Sequence, residues 1–334
     1  KDTINNNDID NLIDWLKTYP RLTKGPVTLE LEEKWSKWLG RKYSVFCNSG
    51  SSANLLMLSA LKEGGYIENN KVVVPSVAWA TDLAPVIQLG MKPILCSQYN
   101  VILLEDTCES MGCEYKGQKL GTFGKMSSFS TFFGHHISTI EGGFVSTDDF
   151  KLYELLVSLR SHGWDRDLSK HTQKVLQKDW NVSEFDSMYT FYYPGYNLRS
   201  TDLQAYIGLS QIDKLDNWGK VRERNFQVYQ NLIKNDYWKP KPQTDSFNSN
   251  FAYPVIHPNR DKIVKELQDN DIEVRPMICG SMGTQPFYAK KYGKLELPNV
   301  SLIDRYGFYI PNHPKLKLDD LKLISDIVNK GIEK

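Results

Sequence analysis

The sequence predicts an α/β protein, with a large domain built on a mixed, mostly parallel sheet flanked by helices and a smaller C-terminal α+β domain. Apolar runs such as residues 101–104 are typical of strands buried on both faces, and helical segments alternate with them. The 334 residues suit roughly two domains of about 150 residues each. From Tyr237 the alternation gives way to Pro240, Pro242 and short mixed elements, which marks the second domain.

The individual elements follow from hydrophobic periodicity. Asp8 can cap a first helix that ends by Pro20, and we expect residues 1–20 to pack on the small domain. The large domain then spans residues 21–215, and the small domain spans residues 216–334. Helices are predicted at 28–40, 54–61, 81–89, 151–160, 201–234, 261–269 and 321–328. Strands are predicted at 43–47, 72–74, 93–96, 101–104, 251–256 and 272–275.

Composition excludes several classes of protein. The 41 Lys and Arg nearly balance the 40 Asp and Glu, so the charge gives no case for binding nucleic acid or a membrane surface. The apolar runs fall short of the roughly 20 residues of a spanning helix, and no secretory signal is visible. The five cysteines are odd in number and form no CxxC pair. We therefore expect no metal site and a reducing, cytoplasmic location.

One short segment and two single residues are candidates for binding a ligand or cofactor. Residues 48–53 (Asn-Ser-Gly-Ser-Ser-Ala) lie between a strand and a helix, where small residues and a helix start can bind a phosphate or form a plain capping turn. Asp106 ends the apolar run, where it can pair with a protonated ring nitrogen or cap a helix. Trp79 follows a strand end, where it can stack on a flat cofactor or pack in a core.

The fourth candidate is the segment of residues 128–143, which contains two adjacent histidines. His135 and His136 point in different directions along almost any backbone, so they are poor joint metal ligands. One of them can serve as a general base, and the alternative is a structural role for both.

These segments, in this order, resemble the sugar aminotransferase family (DegT/StrS type) of fold-type I pyridoxal-phosphate enzymes. The resemblance covers nearly the whole chain and implies that fold. Further motifs that match lie at 25–28 with Glu32, and at 104–107, 121–124, 159–163 and 196–205.

The chain departs from the family at the residue that decides the chemistry. The family places its Schiff-base lysine six residues before the Glu of Glu-Gly-Gly, and counting back from Glu141 gives His135. An imidazole forms no stable Schiff base, and this substitution is typical of the 3-dehydratase branch. The resemblance then implies deoxygenation at C3 of a nucleotide-linked 4-keto-6-deoxy sugar, a GDP-sugar by preference. One His-bearing branch carries an iron–sulfur cluster, but the cysteine spacings here do not offer its ligands.

The resemblance also assigns roles residue by residue. It implies pyridoxal 5'-phosphate and pyridoxamine 5'-phosphate as cofactor, L-glutamate as amine donor, His135 as the catalytic base, and a homodimer with shared active sites. The implied cofactor-binding residues are Gly50, Ser51, Ser52, Trp79, Asp106, Glu109, Ser130 and, from the partner subunit, Asn197. Arg275 and His162 are expected to contact the substrate.

Two differences from the family remain. Only four residues separate Cys96 from Val101, where the family has several tens. Either that segment is deleted, or residues are missing between Asn100 and Val101, which we favour because a crossover between parallel strands needs about a dozen residues. Ser281 stands where the dehydratases carry Asn.

Two alternative functions remain. The first is an aminotransferase, either natural or a variant in which Lys was replaced by His; Lys125 lies too early in the sequence to take the place of the Schiff-base lysine. The second is a non-catalytic sugar-binding protein.

Overall fold

The computed structural model describes residues 3–95 and 101–333. Its α-helices are α1 (Asn6–Leu16), α2 (Pro26–Leu39), α3 (Gly50–Glu63), α4 (Ala80–Gln88), α5 (Phe150–Arg160), α6 (Lys170–Asp179), α7 (Glu184–Ser187), α8 (Asp202–Ile212), α9 (Leu215–Leu232), α10 (Arg260–Asp269), α11 (Pro286–Tyr292), α12 (Pro298–Tyr306) and α13 (Leu318–Ile332). Its strands are β1 (Tyr43–Cys47), β2 (Lys71–Val74), β3 (Lys92–Leu95), β4 (Leu104–Asp106), β5 (Glu114–Tyr115), β6 (Gln118–Lys119), β7 (Met126–Ser130), β8 (Gly143–Thr147), β9 (Ser246–Phe247), β10 (Ala252–Ile256), β11 (Arg275–Pro276) and β12 (Gly307–Pro311).

The described chain divides into two compact units. The first comprises residues 3–70, 101–111 and 118–215, and the second comprises residues 71–95, 112–117 and 216–333. One division between the units falls between residues 215 and 216. Residues 71–95 were predicted within the large domain but group with the C-terminal part, because Val77 bridges Ser281 and Ser76 O accepts a hydrogen bond from Met282 N.

The first unit is built on a mixed four-stranded sheet in the order β1-β8-β7-β4. Strand β8 is antiparallel to both β1 and β7, and β4 is parallel to β7, so three of the four strands run in one direction. Their carboxyl ends, at Cys47, Ser130 and Asp106, therefore share one edge of the sheet.

The two faces of this sheet bury different elements. On one face, Val45 and Val145 join a core with Leu56 of α3 and Leu156 of α5. On the other face, Trp35 of α2 stacks on Phe144, with ring centroids 4.4 Å apart, and meets Phe129 edge-on at 4.9 Å. Because side chains alternate along a strand, Ser128 and Ser130 point to the α3 face while Phe129 points to α2.

The apolar run at 101–104 is not the buried strand that the sequence predicts. Only Leu104 belongs to β4, and Val101, Ile102 and Leu103 are exposed. The physical reason is position, because β4 is the last strand of its sheet and β3 belongs to a different sheet. The junction between residues 100 and 101 adjoins residues 96–100, which lie outside the described residues. That residues are missing at this junction stays a prediction.

A buried ion pair and a set of capping hydrogen bonds fix α2 against β1. Glu32 accepts hydrogen bonds from Phe46 N (2.7 Å) and from the Arg160 guanidinium (2.5 Å), which also donates to Phe46 O (2.6 Å). Asp202 accepts from Gly25 N (2.7 Å) and Thr28 N (3.0 Å) and so caps α2 from a different helix. These residues fix the start of α2 and the position of β1.

The N-terminal helix packs differently from the prediction. Asp8 accepts hydrogen bonds from Ser210 Oγ (2.7 Å) and Gln211 Nε2 (3.1 Å), and Trp15 stacks on Tyr206 at 4.6 Å. These contacts join α1 to α8 in the first unit, whereas we expected the small domain. The helix is also capped by Asn5, with Asp8 at its third position completing a capping box.

The second unit contains a three-stranded antiparallel sheet, β10-β12-β11, and the parallel pair β2-β3 with α4. Its core joins Tyr229 of α9, Ile263 of α10 and Val328 of α13 to Phe308 of β12. The stretch predicted as one helix over 201–234 is two helices, α8 and α9. Among the described residues, no helix combines the length and apolar character needed to cross a membrane.

Candidate functional site

The sequence-predicted residues of the first unit converge on the edge where β1, β7 and β4 end. Ligands of open α/β sheets bind outside such carboxyl ends. Cys47 ends β1 and leads through Asn48 and Ser49 into α3, Ser130 ends β7, and Asp106 ends β4.

The start of α3 is suited to an anion. Ser49 caps the helix, because its Oγ accepts from Ser52 N (3.0 Å) and donates to Ser52 Oγ (2.9 Å). A Cβ on Gly50 would lie 2.7 Å from the Ser130 Cβ and 2.9 Å from the Cys108 Sγ, so only glycine allows this close approach. The free backbone N–H groups of a 14-residue helix thus meet the end of β7, with Ser51 exposed beside them.

Asp106 is held at this edge by two donors. Its Oδ2 accepts from Asn54 Nδ2 at 2.6 Å and its Oδ1 accepts from Cys108 N at 2.9 Å. Asn54 lies one helical turn after Gly50, so a single helix presents an anion site at its start and orients the acid from its next turn. Asp106 is an exposed residue.

The donor set fits the cofactor that the resemblance implies. A phosphate needs N–H and hydroxyl donors, which the start of α3 and Ser130 supply, and a protonated pyridine nitrogen needs an acid such as Asp106. Ser128, the register partner of Asp106 on β7, has a buried Oγ with no hydrogen-bond partner among the described residues. An unsatisfied buried hydroxyl beside the acid is typical of a site that completes its hydrogen bonds with a ligand.

His135 lies in the loop of residues 131–142 that joins β7 to β8. This histidine loop is closed at its base by hydrogen bonds from Thr131 N to Gly142 O (2.9 Å) and from Thr139 N to Thr131 O (2.9 Å). The His135 N–H donates to Phe132 O at 2.9 Å, and the imidazole lies edge-to-face on the Phe132 ring at 6.1 Å. His135 is half-buried whereas His136 is fully buried, so the two histidines have different environments.

Asn197 lies on a segment that runs beside β1, where Arg199 bridges Cys47, and His162 follows α5 next to Ser161, which bridges Asn197. Asn48 N donates to Leu198 O (3.0 Å), which brings this segment to the start of α3. Asn197 is exposed, and its Oδ1 accepts from Arg199 Nε (3.1 Å), while an Arg199 nitrogen lies 3.3 Å from the His162 Nε2.

Four further residues from the sequence analysis have the following surroundings. Trp79 and Arg275 belong to the second unit: Trp79 precedes α4 and is half exposed, and Arg275 is exposed with its guanidinium 2.6 Å from the Glu273 carboxylate. Ser281, where the dehydratases carry Asn, is buried in the bridge to Val77. Glu109 is half-buried in the turn after β4. Their roles stay predictions.

Sequence reasoning missed three residues of this site: Asn54, Cys108 and Ser128. Asn54 carries a readable signal, since a residue four positions after Gly50 on a helix lies on the same face. Ser128 alternates with Ser130 along one strand, which is also readable. The Cys108 contact with Gly50 depends on the turn after β4, and no local sequence pattern predicts the conformation of that turn.

Cys47, at the end of β1, has an unreactive thiol. Burial raises the pKa of the Cys47 thiol to about 12, so it stays protonated and is not a nucleophile at neutral pH. Among residues 3–95 and 101–333, no cluster of His, Cys, Asp and Glu has a metal-binding arrangement.

The sequence is similar to those of known proteins. The sequence model described as the DegT/DnrJ/EryC1/StrS aminotransferase family matches residues 2–98 and 94–329, two stretches that meet near residue 96. GDP-4-keto-6-deoxy-D-mannose 3-dehydratase of Yersinia pseudotuberculosis is 30% identical, over 92% of each chain. That alignment runs over 363 positions, more than this chain has residues, so the relative contains residues that this chain lacks.

Two solved structures share the fold over nearly the full length. The E. coli GDP-4-keto-6-deoxy-D-mannose-3-dehydratase with bound hydrated PLP has a TM-score of 0.87 at 27% identity, covering 98% of both chains. A GDP-4-keto-6-deoxymannose-3-dehydratase with a trapped PLP-glutamate geminal diamine has a TM-score of 0.86 at 27% identity, with the same coverage.

Proposed function

Because the chain belongs to the DegT/DnrJ/EryC1/StrS aminotransferase family, we propose that it is a PLP-dependent lyase, a 3-dehydratase of GDP-4-keto-6-deoxymannose. L-Glutamate supplies the amine that regenerates pyridoxamine 5'-phosphate. The products are GDP-4-keto-3,6-dideoxymannose and ammonia. The 3-dehydratase of Yersinia pseudotuberculosis, at 30% identity over 92% of this chain, supports this assignment.

The observation that carries the proposal is His135 in the histidine loop. The loop joins two buried strands directly after Ser130, and it presents an imidazole where the aminotransferases present a lysine amine. A neutral imidazole has an ordinary pKa of about 6.5, so at neutral pH it can accept a proton and return it. It cannot attach the cofactor covalently, which leaves the cofactor free to carry an amine to the sugar.

The chain's own residues then divide the work. The backbone at Gly50 and the hydroxyls of Ser51, Ser52 and Ser130 bind the phosphate, and Asp106 orients the ring through its nitrogen. Trp79 stacks on the ring and Glu109 contacts it. When bound, the cofactor supplies the amine and the electron sink. His135 accepts a proton from the bound cofactor and donates one to the departing C3 hydroxyl, while Arg275 and His162 contact the sugar nucleotide.

We also infer a homodimer in which Asn197 of the partner subunit completes the phosphate site. Asn197 is exposed in the single chain, which suits a residue that acts across an interface. In the nearby residues 180–189, Trp180, Phe185 and Tyr189 are 68%, 77% and 76% exposed, and large exposed aromatic groups are typical of an interaction surface. We place the enzyme in the cytoplasm and, from the sugar, in deoxysugar biosynthesis for colitose and lipopolysaccharide O-antigen.

The test is the mass of the product. The protein is incubated with pyridoxal 5'-phosphate, L-glutamate and GDP-4-keto-6-deoxymannose, and the sugar nucleotide, ammonia and 2-oxoglutarate are measured. We expect a product that has lost the C3 oxygen, with ammonia released, and no such product from His135→Asn. A product that keeps the C3 hydroxyl and gains an amine would show an aminotransferase instead. Cofactor binding without any product would show a sugar-binding protein.

A further inference from the structure

We propose that Thr131 and Thr139 are positioning residues for His135, through a buried pair of hydroxyl groups at the base of the histidine loop. The proposal rests on the proposed function, because it assumes that His135 performs the proton transfer. It concerns how the chain fixes the imidazole, which sits on a loop rather than on a helix or strand.

The two hydroxyls form a short, fully buried crosslink. Thr131 Oγ1 and Thr139 Oγ1 lie 2.5 Å apart, and neither side chain is exposed. The Thr139 Oγ1 also lies 2.9 Å from Glu141 O and donates to it. A hydroxyl carries one proton, so Thr131 donates to Thr139 and Thr139 donates to the Glu141 carbonyl. The chain of hydrogen bonds has one direction and leaves neither proton unused.

This crosslink ties the loop to elements on both sides. Gln204, which also completes the cap of α8, donates from Nε2 to the same Glu141 O at 2.7 Å. A Cβ on Gly142 would lie 2.5 Å from Thr131 Oγ1 and would also collide with Thr139 Oγ1. The glycine at this place therefore makes room for the hydroxyl pair against the backbone of the loop.

Backbone hydrogen bonds between described residues join the two ends of the histidine loop near its base. Thr131, Phe133 and Thr139 make the three backbone hydrogen bonds that close it, and each joins the two ends of the loop. His135 lies between them, four residues from each threonine, and is joined to the base through its N–H bond to Phe132 O. Phe132 N in turn lies 3.3 Å from Ser130 Oγ. A shift of the loop base would therefore move both the phosphate-site serine and the imidazole.

The test compares variants that separate position from stability. Thr139→Val removes one hydroxyl and leaves that of Thr131 buried without a partner, which also lowers stability. Thr131→Val/Thr139→Val removes both hydroxyls, so no hydroxyl is left unpaired. Thr139→Ser keeps the hydroxyl and is the matched control.

Steady-state kinetics give the first readout. We expect Thr139→Val and the double variant to lower kcat by about 100-fold, the cost of misplacing a catalytic group by about 1 Å, with KM and the Kd of pyridoxal 5'-phosphate within about twofold. Thr139→Ser is expected to retain wild-type kcat. A double variant with wild-type kcat, or a KM that rises as kcat falls, would overturn the proposal.

Hydrogen exchange in the absence of cofactor and substrate gives the second readout. Peptides that cover residues 131–142 are expected to exchange at least about tenfold faster in both valine variants, while peptides of α2 and α5 are unchanged. Unchanged exchange in the loop would contradict the proposal whatever the reaction is. If the wild-type protein makes no deoxygenated product but the exchange result holds, the proposed function fails and the ordering of the loop stands.

Discussion

At the scale of single residues, the proposed site uses a set of weaker contacts in place of a covalent anchor. A lysine at position 135 would attach the cofactor, whereas an imidazole would leave its binding to the proposed donors at the start of α3 and to Asp106. Both groups are positioned by a neighbour: Ser49 caps α3, and Asn54 donates a hydrogen bond to Asp106. The affinity for the cofactor should therefore respond to residues that never touch it.

Borohydride reduction tests the absence of a covalent anchor. Wild-type protein treated with pyridoxal 5'-phosphate and borohydride is expected to gain no pyridoxyl group on the peptide that contains residue 135, because no lysine is there. His135→Lys is expected to gain that group on the same peptide and to lose dehydration. The readout is peptide mass, with Lys125, held 2.7 Å from Asp149, as the internal control that should remain unlabelled in both proteins.

Asn54 provides a second test at the residue scale. Asn54→Ala removes the donor to Asp106, and a hydrogen bond to a charged group contributes about 1.5–3 kcal/mol. We expect the Kd of pyridoxal 5'-phosphate, measured by fluorescence titration, to rise by about tenfold or more. Lys62→Ala, an exposed change on the same helix, should leave the Kd unchanged. Equal affinities for Asn54→Ala and wild type would mean that Asp106 needs no support from α3.

At the scale of the elements, the sequence predicts most of the helices and strands that build the site, but it does not predict which other elements pack against them. Residues 43–47 are a strand, as the local pattern indicates, and Ser49 caps the following helix, which begins at Gly50 rather than at the predicted residue 54. The run at 101–104 misled because apolar composition does not by itself show that a segment is a strand with both faces covered: β4 begins only at Leu104, and residues 101–103 are exposed. The partner of α1 was also out of reach, since it depends on Asp8 meeting side chains about 200 residues away.

The histidine loop contains a local backbone conflict. Ile140 has a φ of 69°, a left-handed conformation that costs an L-residue about 1–2 kcal/mol, and its side chain is half exposed and so gains little from burial. Asn tolerates this region, so Ile140→Asn is expected to stabilise the protein by about 1 kcal/mol in urea denaturation. Ile102→Asn is the control at a similarly exposed residue without positive φ, and no gain is expected there. A loss of stability in Ile140→Asn would mean that packing of the Ile140 side chain contributes more to the free energy of unfolding than its exposure indicates.

Helix α5 gives a pH-dependent prediction. Partial burial raises the pKa of Asp149, but hydrogen bonds from Lys125 (2.7 Å) and Tyr66 (2.8 Å) outweigh it and lower the pKa from 3.8 to about 2. A lowered carboxyl pKa stabilises the fold above about pH 4, and this contribution disappears as the pH falls toward 2.

Asp149→Asn is therefore expected to lower the free energy of unfolding by about 1 kcal/mol at pH 7, while Asn keeps the helix cap. The difference from wild type should shrink between pH 4 and pH 2, as followed by urea denaturation. Asp14→Asn removes an ion pair between side chains that are 70% and 74% exposed and should change stability little at any pH. A constant difference for Asp149→Asn would assign its effect to packing rather than charge.

At the scale of the whole molecule, the proposed homodimer implies an active site that one chain does not complete. The phosphate donors, the acid and the histidine all belong to the first unit, whereas Asn197 is exposed on a segment tied to β1 and is assigned to the site of the other subunit. When two subunits share each active site, two inactive variants can complement each other, which is impossible when each site lies within one chain.

Mixing variants tests this sharing. His135→Asn and Asn197→Ala are each expected to form dimers with little activity, since every site lacks one residue. After dissociation and random reassembly of equal amounts, about half of the dimers carry one chain of each kind, and one of their two sites has both residues intact, so activity should recover to about a quarter of wild type. His135→Asn mixed with the double variant His135→Asn/Asn197→Ala should recover none. If the first mixture also stays inactive while both variants reassemble normally by size-exclusion chromatography, each site draws both residues from one chain.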